Sequence, residues 1–350
     1  MLAAAVTVAA WLIFAPLTKT SGTGQTAGST SYVRPVTKQW PHARLATASV
    51  RLADGASYAP AWYLSADVSV GTAPTPDGAA LRLLLREAGG TRELRRLDAD
   101  GAPQFAAVTA DDHAVYWAES SATETGAART GIWRADRDGS TPPVLLVPDA
   151  GDATFFNSEH DLEVADGALH WVVAGPVDRV ATDLRSVPVG GGAVTARTLP
   201  GAFALSAWPW LVSTGGPRSP VDLYNLATGA RIQVPTSATE TVTCGPVWCR
   251  VRVVAATGVS RLDLMHPDGS DRHRIAGGTA TSSAPDVALL DRFEVLTSGT
   301  GTPHTVQLYD EKTGTTSAIA INAGTVVARG GALWWSTATE WHVLDLTSLT

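Results

Sequence analysis

An apolar strand that usually carries tryptophan returns about every 38 to 54 residues along this chain, each time after a turn-forming sequence. The strand is followed by a variable loop, a strand that ends in a glycine-containing turn, and another short apolar strand. Four short strands in about 40 to 45 residues are typical of one blade of a β-propeller. The recurring strands lie in Asp111–Trp117, Asp166–Trp171, Ala207–Leu211, Cys244–Cys249, Asp291–Val295 and Arg329–Trp335.

Two more segments bear on the number of blades and on closure of the ring. The runs 81–87 and 91–97 are joined by Gly89-Gly90, which predicts a hairpin and an earlier blade. The last unit lacks a final strand, and Leu45–Leu52 alternates in strand fashion and could supply it. We therefore predict an all-β fold, a β-propeller with seven blades favoured and six as the alternative, preceded by an N-terminal apolar anchor helix.

The N-terminal segment from Leu2 to Leu17 contains no charged residue. It is a little shorter than the ~20 residues that cross a bilayer, no basic residue precedes it, and Ala15-Pro16-Leu17 is a poor cleavage site. A signal anchor is favoured, with a cleaved export signal or a buried core helix as alternatives. The predicted organisation is a signal or signal-anchor segment at 1–17, a Thr/Ser/Gly-rich linker at 18–39 and the propeller domain at 40–350.

The net charge and the two cysteines restrict the class of partner and the cellular compartment. The net charge of −7 argues against a nucleic-acid partner, because a general nucleic-acid binder shows a basic face. Cys244 and Cys249 flank a predicted hairpin turn, where a cross-strand disulfide is favoured over two unpaired thiols. Disulfides persist mainly outside the cytosol. We expect a single-pass protein of the cell membrane, held through residues 2–17 with the propeller outside the cytoplasm; the alternative is a secreted protein.

One unit resembles a known group of repeats. Val115–Glu119 contains a Tyr-Trp strand, and Ile132–Asp136 leads into the turn Asp138-Gly139-Ser140. This order is similar to the YWTD and TolB-type propeller repeat, here of an actinobacterial-type exported or membrane-anchored protein. The resemblance covers residues 60–350 in pattern and is sharp in only one or two blades. It implies a fold and no activity, since one fold hosts many functions.

Candidate site residues are few. Glu159, His160 and Asp161 form the densest polar cluster and are candidate ligand-binding residues, although a plain surface loop is the simpler interpretation. Trp208 and Trp210 flank a turn, and exposed indoles at a propeller mouth could bind a sugar or a peptide. The matched residues Trp117, Trp171, Trp248 and Trp334 are expected to pack between blades.

No catalytic motif stands out, and no catalytic residue is assigned. The sequence contains no Gly-x-Ser-x-Gly and no His-Glu-x-x-His. The Asp-x-Asp-Gly turns at 98–101 and 136–139 lack the remaining ligands of a calcium loop, so no metal and no cofactor is expected. We predict a non-enzymatic binding or scaffold module with an unknown protein or carbohydrate ligand. The alternative is a propeller-fold hydrolase or lyase with an axial carboxylate and histidine site.

Overall fold

The computed structural model describes residues 33–350 except 123–127, 177, 216–219, 256–257, 300 and 302. Val33–Thr350 forms one compact unit. The predicted anchor at 1–17 lies outside the described residues, and the predicted boundary at residue 40 stays a prediction. Among the described residues, no helix combines the length and the apolar character that a membrane crossing needs.

The described residues form seven sheets, which confirms the seven-bladed β-propeller. Their strand pairs are antiparallel except for Arg34–Pro35, which pairs parallel with Thr315–Ile321. Each blade is named I to VII in chain order, and its strands are given from first to last. Blades I to III comprise β3 Ala59–Ser65, β4 Val68–Pro74, β5 Ala80–Glu87 and β6 Gly90–Asp98; β7 Gln104–Ala110, β8 Ala114–Ala122, β9 Ala128–Asp136 and β10 Val144–Val147; and β11 Glu163–Ala165, β12 Ala168–Ala174, β13 Ala181–Pro188 and β14 Thr195–Pro200.

Blades IV and V follow the same order of strands, and blades VI and VII each gain a strand from the N-terminal region. The strands of blades IV and V are β15 Phe203–Leu205, β16 Trp210–Ser213, β17 Val221–Asn225 and β18 Arg231–Val234, then β19 Glu240–Cys244, β20 Cys249–Ala255, β21 Gly258–Met265 and β22 His273–Gly277. Those of blades VI and VII are β23 Thr281–Ser282, β24 Phe293–Ser298, β25 Thr305–Asp310, β26 Thr315–Ile321 and β1 Arg34–Pro35, then β27 Val326–Arg329, β28 Ala332–Ser336, β29 Glu340–Asp345 and β2 Arg44–Ser49.

The helical elements among the described residues are short. They are α1 Val36–Gln39, α2 Leu289–Arg292 and single 3₁₀ turns at Ala99–Gly101 and Leu346–Ser348.

The N-terminal strand closes the ring as predicted. β2 pairs antiparallel with β29, the last strand of the chain, in a register that joins Arg44 to Asp345 and Ser49 to Glu340. β29 thus has a neighbour on both sides. It therefore presents no open edge, and an open edge is what promotes association between sheets. The predicted hairpin also forms, with β5 and β6 paired in blade I.

The core lies between neighbouring blades. Trp117 packs against blade I residues, Trp171 against blade II residues and Trp334 against Tyr63 of blade I. Trp248 packs with residues of blade VI. All four indoles therefore pack between blades, as predicted, and Trp117, Trp171 and Trp334 are fully buried.

The predicted disulfide is present. Cys244 and Cys249 are directly paired across the β19–β20 turn, and their sulfurs are bonded. The bond closes a loop of only four intervening residues, and it lies beside the pocket described below.

Candidate functional site

The segment that joins blades II and III crosses the ring. We call residues 156–161 of this connection the axial segment. Its Ser158 Oγ donates a hydrogen bond to Asp286 Oδ1 (2.5 Å), and its Glu159 N–H donates to Asp286 Oδ2 (2.9 Å). Glu159 Oε2 accepts the N–H of Gly330 (2.6 Å). Asp286 belongs to blade VI and Gly330 to blade VII, the two blades opposite blade III in a ring of seven. The axial segment therefore spans the centre of the propeller.

A pocket of about 450 Å³ lies beside the axial segment. Its walls come from the axial segment, from the first three strands of blade IV, from the first strand and turn of blade V, and from the segment before β24 in blade VI. The volume falls within the range of small-molecule sites, about 300–1,000 Å³. Phe156 and Leu290 line the pocket, and both of these large apolar side chains are exposed. The side chains that give it chemistry are Ser158, Glu159, His160, Ser206, Asp286 and Asp291.

His160 lies between two carboxyl groups. Its Nδ1 is 3.0 Å from Glu163 Oε2, and its Nε2 is 3.6 Å from Glu159 Oε1. Burial alone would lower the pKa of His160, but the hydrogen bond with Glu163 and the negative charges of Glu163, Glu159 and Asp286 raise it to about 9. The imidazole is therefore protonated at neutral pH and supplies a positive charge beside the pocket.

The carboxyl group of Glu159 is held in its protonated form more firmly than usual. Burial raises its pKa, and the charges of Asp286 and Glu163 act in the same direction, against the opposing effects of His160 and the Gly330 N–H. Burial likewise raises the pKa of Asp161 to about 6. A carboxylic acid with a raised pKa that lines a cleft is the usual mark of a proton donor.

A buried ion pair supports the opposite wall of the pocket. Arg250, on β20 of blade V, contacts Glu294 Oε2 (3.1 Å) on β24 of blade VI. The same guanidinium donates to the main-chain carbonyls of Ala284 (2.9 Å) and Asp286 (2.6 Å). Glu294 Oε1 in turn accepts the N–H of Ala288 (2.8 Å). Both ends of the segment that carries Asp286 are thereby fixed.

This segment also stores backbone strain. Ala288, Leu290 and Asp291 have φ values of 49°, 55° and 55°, in the left-handed region that non-glycine residues seldom adopt. Such residues cost of order 1–3 kcal/mol each and persist where the surroundings enforce them, often at functional sites. Here the enforcing contacts include those of Arg250 and Glu294.

The structure distributes the predicted site residues unevenly. Glu159 and His160 line the pocket, while Asp161 accepts the N–H of Phe156 (2.8 Å) and shapes the axial segment. Trp208 stacks on His170 at 3.8 Å and donates to Asp166 (2.9 Å). Trp210 is half-buried at the start of β16 and packs between blades IV and V. Neither indole is among the described residues that line the pocket, and ligand binding by all five residues stays a prediction.

Sequence reasoning did not identify Asp286, Arg250 or Glu294. The available signal was a charged residue between apolar neighbours, as for Glu294 between Phe293 and Val295. Charged residues at such positions are rarely fully buried unless they are paired.

No protein-family model and no curated protein matches the sequence. Solved structures of similar fold include an uncharacterized protein from Listeria monocytogenes, with a TM-score of 0.54 and 8% identity over 84% of this chain and 93% of that one. A prolyl endopeptidase structure has a TM-score of 0.52 and 14% identity over 89% of this chain and 48% of that one. A puromycin-hydrolyzing peptidase from Mycobacterium tuberculosis has a TM-score of 0.50 and 15% identity over 82% and 50%.

At these identities the comparisons show the fold, and this chain spans about half the length of the two peptidases. Structures of TolB proteins are also similar, with TM-scores of 0.39 and 0.41, too low to bear on the repeat type. Our prediction of a non-enzymatic scaffold module is contradicted, because two of the similar structures are those of peptidases.

Proposed function

We propose that this chain is a propeller-fold hydrolase whose substrate occupies the pocket beside the axial segment, which we call the axial pocket. The observation that carries the proposal is the convergence on one cavity of Glu159 from the blade II–III connection and Asp286 from the opposite blade VI. Glu159 is the proton donor, since burial raises its pKa. Asp286 is the general base: each of its oxygens accepts one hydrogen bond and keeps a lone pair for an incoming water.

His160 positions the acid. Its protonated imidazole lies between Glu163 and Glu159 and limits the negative charge that gathers when Glu159 loses its proton. Glu163 is anchored independently of the pocket, since its Oε1 accepts the N–H of Trp208 (3.4 Å). The roles therefore separate into a donor, a base and an imidazolium that holds the donor in place.

The bond class that we propose is the amide bond, because two similar structures are those of peptidases. Phe156 and Leu290 provide an apolar rim for a substrate side chain, and Ser206 provides a hydroxyl group for its polar atoms. The purified chain is assayed with fluorogenic peptide amides, and with nitrophenyl esters and glycosides as the other classes.

Glu159→Gln should lower kcat by about 10²- to 10⁴-fold, the usual contribution of a proton donor, and should leave unfolding by urea nearly unchanged. Asp286→Asn should lower kcat by a comparable factor. Glu87→Gln is the matched control, because Glu87 is exposed at the end of β5 in blade I. Full activity in Glu159→Gln, or no hydrolysis of any class by the parent chain, would refute the proposed function.

We also propose that the protein is exported and held at the membrane through residues 2–17, with a secreted form as the alternative. The disulfide between Cys244 and Cys249 supports an oxidising compartment. Protease treatment of intact cells should degrade the propeller while a cytosolic marker survives. Protection of the propeller until lysis would contradict export.

The finer repeat type is likewise proposed. The buried Tyr116-Trp117 pair and the turn at Asp138-Gly139 support a YWTD or TolB-type unit in blade II.

A further inference from the structure

A group of potential metal ligands lies at the junction of blades V and VI. His273 begins β22, the last strand of blade V, Asp271 stands two residues before it, and Glu311 follows β25 of blade VI. One nitrogen of His273 and one carboxylate oxygen from each acid lie within 4.8 Å of one another. The three residues share no sequence spacing typical of a metal site, because the third comes from a different blade.

The imidazole of His273 faces oxygen atoms on both sides. Nδ1 is 2.8 Å from the main-chain carbonyl of Asp271, and Nε2 is 3.0 Å from Glu311 Oε2. A neutral imidazole has a single N–H, so one nitrogen would direct a lone pair at an oxygen. A metal ion between Nε2 and the Glu311 carboxylate would take up that lone pair, while Nδ1–H donates to the carbonyl.

The orientation of the ring is that of a metal ligand. A metal-binding histidine almost always donates its other N–H to a carboxylate or a backbone carbonyl, which fixes the tautomer. The Asp271 carbonyl has this role at Nδ1 and leaves the Nε2 lone pair directed at the Glu311 carboxylate. Trp248 packs edge-on against the ring at 6.1 Å, which further restricts its rotation.

We propose that Asp271, His273 and Glu311 bind a divalent first-row transition metal ion, with water completing the coordination. One imidazole and two carboxylates are a donor set that zinc and manganese accept. Because the ligands come from two blades, the ion would fasten blade V to blade VI. The proposal does not depend on the proposed function, since this group is separate from the residues of the axial pocket.

The test is calorimetric titration of the full chain with Zn²⁺, and then with Mn²⁺, after treatment with a chelator. We expect one saturable site per chain and a thermal midpoint that rises with the concentration of the metal ion. His273→Gln should weaken binding at least about 100-fold, because loss of a ligand should exceed the 10- to 100-fold effect of a supporting residue. His113→Gln, at an exposed histidine of blade II, is the matched control and should bind like the parent chain.

Asp271→Asn and Glu311→Gln provide a second pair of variants should His273→Gln fail to fold, and each should weaken binding. Absence of a saturable site in the parent chain would overturn the proposal. Equal affinity in the parent chain and in His273→Gln, or equal losses in His273→Gln and His113→Gln, would also overturn it, since the ion would then bind elsewhere.

Discussion

Replacement of Arg250 by methionine tests whether the buried ion pair supports the pocket. The side chains of Arg250 and Glu294 are only 7% and 1% exposed. Removal of one partner leaves the other as an uncompensated buried charge, which costs about 3–5 kcal/mol. The carbonyl oxygen of Asp286 also loses its 2.6 Å donor. We therefore expect Arg250→Met to lower the free energy of unfolding by about 3–5 kcal/mol.

Urea-induced unfolding, followed by tryptophan fluorescence, measures this loss. Arg96→Met is the control, because Arg96 forms an exposed ion pair with Glu93 (2.8 Å) and should leave the midpoint unchanged. The double variant Arg250→Met/Glu294→Leu should lose less than the sum of the single changes, since no charge then remains buried. If Arg250→Met unfolds at the same urea concentration as Arg96→Met, the ion pair does not hold the segment that carries Asp286.

Two further predictions concern the axial segment and the closure of the ring. Burial raises the pKa of Asp161 to about 6 from 3.8, so the wild type should lose about 3 kcal/mol of stability as the pH rises from below 4 to above 6. Asp161→Asn lacks this loss, so its free energy of unfolding relative to wild type, measured with urea, should increase by that amount between pH 4 and 7. A difference in the free energy of unfolding that stays constant with pH would contradict the raised pKa of Asp161. Prolines at Ala46 and Thr47 should detach β2, expose the edge of β29 and cause association in light scattering, while serines at both positions should not.

The repetitive part of the fold could be predicted because its signals are local. Trp117 and Trp171 each follow a turn and precede a glycine-containing hairpin, and this order recurs often enough to define blades. The closing strand could also be predicted, because β29 needed a neighbour and the alternating segment around Leu45 was available. Each of these inferences used residues within one unit, or a count of strands.

The candidate site could be predicted only in part, because its partners meet through the closed ring. Glu159 and His160 formed a visible polar cluster, but Asp286 lies 127 residues beyond Glu159. Nothing in the local sequence indicates that a connection after blade II contacts blade VI. The contact depends on the geometry of seven units around one axis, and a change in blade number would place a different blade opposite.

Closure of the ring and the chemistry of the pocket are therefore coupled. Glu159 Oε2 depends on the N–H of Gly330, which lies in the turn between β27 and β28 of blade VII. Blade VII is completed by β2, so the N-terminal strand stabilises the blade that positions the proposed acid. A ring that opens at β2 should displace Gly330 and alter the surroundings of Glu159. Loss of activity in the proline variant should therefore precede global unfolding as urea is added.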